Sequence, residues 1–194
     1  EAVSRVAEQP LHSLVNNAGV SQRSMAAETE PAVYKTLLET NLFAAIELTL
    51  AVIPLLRRAG EGRIAAVSSI AGELFGPQRS GYAATKAGMN AFFYSLRSEL
   101  YGESIPVTVV IPGFVRTEVS RNALTSRGEK YAKMDEIQAK GLDPDLAAER
   151  ILRAIEEGLI ICRVGMSPKL WSGLVIKSVL PRLFDRMVRR AKVT

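Results

Sequence analysis

The sequence is poor in the residue types that build disulfide-bonded, metal-binding and membrane-spanning proteins. Among 194 residues there is one cysteine, one histidine and one tryptophan. The single Cys162 excludes an intrachain disulfide framework, and the lone His12 predicts no metal site. Glu47 interrupts the longest apolar run before the roughly 18 residues that a spanning helix requires. Because 47% of the residues are hydrophobic, disorder is also excluded, and an ordinary folded domain is predicted.

The excess positive charge of the chain lies at its C-terminal end. The formal net charge is +5, but residues 163–194 alone carry eight basic residues and one acidic residue, which leaves residues 1–162 at −2. A mildly acidic body predicts no binding of nucleic acid. For the basic tail, two interpretations stay open: a solvated helix face, which we favour, and peripheral contact with an anionic membrane surface.

Strand-like and helix-like patterns alternate along the chain. Four short apolar runs are typical of strands and lie at residues 12–16, 63–69, 107–111 and 159–164. Stretches with helical spacing lie between them, at residues 29–58, 81–101 and 143–157. Strands separated by helices of this length predict right-handed crossovers and a parallel α/β sheet. The polar connection 118–141 is typical of a lid.

Three side chains carry the predicted chemistry. Tyr82 and Lys86 are four residues apart in a predicted helix, so they share one face. An ammonium beside a phenol favours the phenolate, which predicts a lowered pKa for Tyr82 and a role in general acid/base catalysis. Ser69 ends a strand, where its hydroxyl is suited to a substrate carbonyl oxygen. Taken alone, the Tyr–Lys spacing also fits an ordinary surface pair.

Together with three further motifs, these residues resemble the short-chain dehydrogenase/reductase family. The matching elements are Asn16-Asn17-Ala18-Gly19, Asn41, Ser68-Ser69, Tyr82-x-x-x-Lys86 and Pro112-Gly113-Phe114-Val115-Arg116-Thr117. Their order and spacing fit the family over about residues 1–165. The segment 91–93 and the arginine-rich C-terminus are similar to its hydroxysteroid-dehydrogenase-like branch.

The resemblance implies reversible hydride transfer between NAD or NADP and a small alcohol or carbonyl substrate. It implies that Tyr82 exchanges the proton, that Lys86 holds the ribose hydroxyls, that Ser69 orients the substrate oxygen and that Asn41 supports a water relay. It also implies cofactor contacts for residues on two loops and the catalytic helix: Asn16, Ala18, Gly19, Tyr82, Lys86, Pro112, Gly113, Val115 and Thr117. The alternative to the role of Asn41 is that it is an ordinary polar residue in a helix. The alternative for residues 16–19 is a simple turn with no cofactor contact.

One part of the family pattern is absent, because no Gly-x-x-x-Gly-x-Gly occurs in the sequence. We therefore expect the C-terminal part of a doubly wound, parallel-sheet Rossmann fold, with the first strands and the glycine-rich turn missing. Residues 1–165 are predicted to form this partial domain, residues 1–9 ending a helix, and residues 166–194 a basic helical tail. The first strand then becomes a sheet edge.

Two functions remain open for such a chain. The first is an oxidoreductase of which the chain is a fragment, and the second is a non-catalytic remnant that acts through association with another chain. We expect a cytoplasmic homo-oligomer built around the helices that bear Asn41 and Tyr82. Cys162 is expected in the core, and Trp171 is expected to pack the tail against the body or a partner.

Overall fold

Four parallel strands form one sheet in the computed structural model, which describes residues 11–189. The strands are β1 Ser13–Asn16, β2 Arg63–Val67, β3 Val107–Pro112 and β4 Ile161–Val164, in spatial order β1-β2-β3-β4. Leu14 lies opposite Ile64, and Ala66 lies opposite Val109. The predicted parallel sheet is confirmed, and β1 is an edge strand as expected. The helix end predicted in residues 1–9 lies outside the described residues.

Helices connect the strands at the predicted places. Their bounds are α1 Pro31–Leu38, α2 Ala44–Ala59, α3 Ser80–Glu99, α4 Glu136–Ala139, α5 Pro144–Glu156, α6 Pro168–Val179 and α7 Pro181–Arg189. A π-helical turn, Glu39–Phe43, joins α1 to α2, so one long helix was correctly predicted but contains a distortion. The Asp143 carboxylate caps α5 by accepting a hydrogen bond from the Asp145 N–H at 3.0 Å.

Clusters of buried apolar side chains lie on both faces of the sheet. A larger cluster joins the sheet to α2 and α3 and includes the fully buried Leu56, Ile64, Phe93, Val109 and Ile111. A smaller cluster joins β3 and β4 to α5 and includes Val110, Ala147, Ala154, Cys162 and Val164. A strand covered on both faces needs apolar side chains in both directions, which explains the apolar runs without alternation. The expected core position of Cys162 is confirmed.

The helix Pro31–Ala59 corrects one sequence expectation. Its 29 residues include an 18-residue window of mean hydropathy 1.5, so by length and composition it is a candidate membrane span despite Glu47. A helix that packs against a sheet passes the same test, and Val52 and Leu56 are buried in the larger core cluster.

Within residues 166–189, the described part of the basic tail, there are two helices, and the second begins at Pro181. Leu170 and Leu174 of α6 pack against the larger core cluster, whereas α7 has no buried residue. Trp171 is half exposed, with the Arg163 guanidinium 5.6 Å from the centre of its ring. The first tail helix is therefore anchored to the body, and the boundary at residue 165 stays a prediction.

Candidate active site

A cleft of roughly 700 Å³ opens where β1, β2 and β3 end. Ser69, Tyr82 and Lys86 all line it, although 13 to 17 residues separate Ser69 from the other two. Ligands of open α/β sheets bind at this carboxyl edge. The fold thus brings the three predicted side chains into one cavity.

Ser69 is fixed by the turn that follows β2. It caps the short 3₁₀ turn Ile70–Gly72, and its Oγ accepts a hydrogen bond from the Ala71 N–H at 3.1 Å. A hydroxyl that accepts in this way keeps its own proton for donation. Ser69 is thereby oriented as a donor toward Tyr82 or toward a substrate oxygen.

The electrostatics of Tyr82 differ from the sequence expectation. Burial raises the pKa of the Tyr82 phenol above its ordinary value, while a hydrogen bond with Ser69 and the positive charges of Arg79 and Arg23 act to lower it. The net direction is upward, so the predicted lowering is wrong for the protein in this state. Desolvation of the phenolate raises the pKa of Tyr82 by more than these neighbours lower it.

The ammonium group of Lys86 lies over the ring of Tyr82. Its Nζ donates a hydrogen bond to the Val67 carbonyl at 2.8 Å and lies 5.9 Å from the centre of the Tyr82 ring. Burial lowers the pKa of Lys86 to about 8. The shared helix face of the two side chains is confirmed, but the cations that lower the pKa of Tyr82 are Arg79 and Arg23.

Asn41 is fully buried in the π-helical turn and joins three elements. Its Oδ1 accepts from the Val20 N–H at 2.7 Å, and its Nδ2 donates to the Val20 carbonyl at 2.9 Å and to Thr85 Oγ1 at 3.0 Å. Gly19 allows this approach, because a Cβ there would lie 3.2 Å from Asn41 Oδ1 and 3.3 Å from Lys86 Nζ. Asn41 therefore ties the loop after β1 to the catalytic helix α3.

The predicted cofactor residues fall into two groups. Gly19, Pro112, Gly113, Val115 and Thr117 line the cleft with Tyr82 and Lys86. Asn16 turns the other way, since its buried amide donates to Thr49 Oγ1 at 2.9 Å, and Asn17 lines the cleft in its place. The cofactor roles of Asn16 and Ala18 stay predictions.

A nicotinamide dinucleotide fits this cleft at its nicotinamide end. Lys86 offers an ammonium there, and Val115, whose carbonyl accepts a hydrogen bond from the Gln138 amide, also lines the cleft. The sequence contains no Gly-x-x-x-Gly-x-Gly turn for the pyrophosphate. The described residues therefore match one end of such a cofactor.

Four polar residues in or beside the cleft were not predicted from the sequence. Gln22, Arg23 and Asp135 are buried and Arg79 is partly exposed. They form one group around the start of α3, and all but Gln22 line the cleft. The only signal was the polar run from Ser21 to Ser24, directly after the Asn-Ala-Gly turn. Such a run reads as a solvated loop unless its distant partners are known.

A parallel α/β sheet of the Rossmann type, with Ser, Tyr and Lys at its carboxyl edge, defines the class of this protein. The family model described as short chain dehydrogenase matches residues 1–128. The chain belongs to the short-chain dehydrogenase family.

Its relatives are described in the same terms. The chain is 39% identical over 176 residues to the dehydrogenase/reductase SDR family member 7B of Bos taurus, which covers 90% of this chain and 54% of the relative. It is 44% identical over 142 residues to the SDR family protein 7-like of Drosophila melanogaster, covering 73% of this chain and 44% of the relative. The chain thus spans about half the length of these relatives.

Solved structures support the fold. A short chain dehydrogenase of Burkholderia cenocepacia in complex with NADP superposes with a TM-score of 0.77 at 23% identity, covering 96% of this chain and 71% of the other. A closed serine dehydrogenase complexed with NADP⁺ gives a TM-score of 0.71 at 24% identity, covering 87% and 71%. At these identities the likeness concerns the fold.

Proposed function

We propose that this chain is the catalytic part of a longer NAD(P)-dependent oxidoreductase that interconverts an alcohol and a carbonyl compound. The observation that carries this proposal is the convergence of Ser69, Tyr82 and Lys86 in one cleft at the carboxyl edge of the sheet. Family membership agrees with an oxidoreductase, and the NADP found with two proteins of the same fold supports a nicotinamide cofactor.

In the proposed reduction, the substrate oxygen accepts hydrogen bonds from the hydroxyls of Ser69 and Tyr82. When bound, the nicotinamide supplies the hydride for the carbonyl carbon. The Tyr82 proton passes to the substrate oxygen, and a phenolate remains on Tyr82. Arg79, Arg23 and the hydrogen bond with Ser69 stabilise that phenolate, since each of them lowers the pKa of Tyr82. Oxidation of the alcohol reverses these steps.

Lys86 and Asn41 serve the same proposal from behind the tyrosine. Lys86 is held against the Val67 carbonyl and faces the cleft, where it is placed to bind the ribose hydroxyls. Asn41 keeps Val20 and Thr85 fixed around it. Both side chains are buried, so packing restricts each of them to one conformation.

The test is the substitution Tyr82→Phe in the full-length enzyme, with Tyr101→Phe as the matched control. The control side chain is 92% exposed, so its hydroxyl has no part in the cleft. NADPH and NADH oxidation with a panel of aldehydes and ketones is followed by fluorescence. We expect Tyr82→Phe to lose at least about 10²-fold in kcat with little change in nucleotide affinity, because only the proton donor is removed. Unchanged turnover would refute the assignment.

The non-catalytic alternative makes the opposite prediction in the same assay. A remnant that acts only by association shows no turnover with either nucleotide, and Tyr82→Phe then changes nothing. We favour catalysis because the cleft gathers the reactive side chains together with the buried Arg23 and the partly exposed Arg79, which an association module does not require.

We also propose that the enzyme is a cytoplasmic homo-oligomer. The long helix 31–59 leaves Leu38, Phe43, Leu48 and Leu50 exposed. Large apolar side chains exposed along one helix favour a protein contact. The basic tail offers a second proposed contact, with an anionic membrane surface. Arg182, Arg186 and Arg189 lie on α7, together with the exposed Leu183 and Met187.

A further inference from the structure

The side chain of Gln22 caps the catalytic helix from outside it. Gln22 is fully buried, and its Oε1 accepts hydrogen bonds from the N–H groups of Gly81 at 2.8 Å and Tyr82 at 3.3 Å. The first N–H groups of a helix have no partner within it, so such an acceptor fixes the first turn. Arg79, at the N-cap position of α3, makes no capping bond with its own side chain. Gln22 therefore supplies the cap.

Gln22 is itself held on its other side. Its Nε2 donates to Ser24 Oγ at 3.2 Å and to Thr29 Oγ1 at 3.3 Å. Gly81 permits this close approach, because a Cβ there would lie 2.7 Å from the ring of Tyr34 and 3.0 Å from Gln22 Oε1. Both polar ends of the amide are thus occupied, and the position of Gln22 is fully determined.

The neighbouring Arg23 fixes the connection 118–141, which contributes Asp135 and Gln138 to the cleft lining. The side chains of Arg23 and Asp135 are only 2% and 6% exposed and form an ion pair, to which Arg79 adds a bond to Asp135 Oδ2 at 3.0 Å. Burial acts to raise the pKa of Asp135, but the hydrogen bond and charge of Arg23 and the charge of Arg79 outweigh it and hold that pKa below its usual range. Asp135 is therefore a carboxylate between two guanidinium groups.

Backbone bonds strengthen the same joint. The Arg23 N–H donates to the Leu124 carbonyl at 2.8 Å, and the Leu124 N–H donates to the Ser21 carbonyl at 2.8 Å. The Ser24 N–H donates to the Gln78 carbonyl at 3.1 Å, just before α3. Residues 21–24 thus contact both the connection 118–141 and the residues just before α3.

We propose that Gln22, Arg23, Arg79 and Asp135 are positioning residues for Tyr82. Gln22 fixes the turn of α3 from which Tyr82 projects. The three charged side chains hold the connection 118–141 over the cleft and set the charge beside the phenol. This inference rests on the proposed function, since it assigns Tyr82 the proton transfer that the four residues serve.

The mechanical part is tested by Gln22→Ala and Gln22→Glu in the full-length enzyme. The alanine variant removes the cap, and we expect kcat to fall about 10- to 100-fold with KM changed less than threefold, because small displacements of a reacting group have large effects on turnover. The glutamate variant keeps an acceptor of the same length, and we expect kcat to return to within about fivefold of the parent. Equal loss in both variants, or none in Gln22→Ala, overturns the capping role.

The electrostatic part is tested by the pH profile of kcat/KM, which does not depend on the alanine variant being stable. The charged groups around Tyr82 are Lys86, Arg79, Arg23 and Asp135. Asp135→Asn removes a negative charge at constant shape, so we expect the kinetic pKa of Tyr82 to fall by about half a unit or more. Arg79→Met removes a positive charge, so we expect the same pKa to rise. Shifts of the same sign, or no shift, overturn the inference.

The exposed pair of Arg57 and Glu103 supplies the matched control. Both of its hydrogen bonds are 2.7 Å long, but the pair lies at the protein surface and outside the cleft. We expect Arg57→Met to leave the pH profile unchanged. Suppose that Tyr82→Phe abolishes turnover, while Gln22→Ala, Gln22→Glu, Asp135→Asn and Arg79→Met all behave like Arg57→Met. The proposed function then stands and the positioning inference fails. If Tyr82→Phe is fully active, the proposed function itself fails.

Discussion

The buried Lys86 makes the stability of the protein depend on pH in an unusual direction. Its pKa is lowered to about 8 by burial, whereas in the unfolded chain it returns to 10.5. Between these values the unfolded state binds more protons than the folded state, so the free energy of unfolding rises with pH. Below pH 8 the folded protein holds a buried ammonium, and the whole cost of that charge is present.

The size of the effect follows from the shift. The lowering of the Lys86 pKa from 10.5 to about 8 corresponds to roughly 3 kcal/mol in total, of which about 2 kcal/mol is recovered between pH 7 and pH 9.5. Above pH 10 the raised pKa of Tyr82 acts in the opposite sense, because the unfolded chain loses the phenol proton first. The measurement is therefore best made below that pH.

The assay is urea unfolding of the full-length enzyme and of Lys86→Met at several pH values from about 7 to 9.5, without nucleotide. The difference in unfolding free energy between the two proteins isolates Lys86, since all other groups titrate in both. We expect the parent to gain about 2 kcal/mol on Lys86→Met across this range. A difference that stays constant within about 0.5 kcal/mol would show that the ammonium is not desolvated as its burial implies.

Two further predictions concern other parts of the structure. Asn41→Ala leaves the Val20 N–H and Thr85 without their buried partner, so we expect about 3 kcal/mol less stability in urea unfolding, and a loss below about 1 kcal/mol would contradict the bridging role. For the tail, we expect pelleting with anionic vesicles at low salt and release at high salt, with binding reduced in a variant carrying Gln at Arg182, Arg186 and Arg189. Equal absence from neutral and anionic vesicles would assign the tail to packing or a subunit contact.

Features that depend on local spacing could be predicted from the sequence. Apolar runs separated by helical patterns led to the parallel sheet, because a strand covered on both faces has few polar side chains. Tyr82 and Lys86 share a helix face by virtue of their separation, and Ser69 lies at a strand end. These relations span at most a few turns or one strand, so they can be predicted without knowledge of the fold.

The surroundings of those side chains depend on residues that are distant in the chain and meet only in the folded protein. Arg23 and Asp135 are 112 residues apart in the chain, and Gln22 and Gly81 are 59 apart, so no local pattern relates them. The predicted direction of the shift in the Tyr82 pKa is wrong for the same reason. Spacing reveals the neighbouring ammonium, but desolvation depends on every element that packs around the ring, and here it exceeds the effect of the charges.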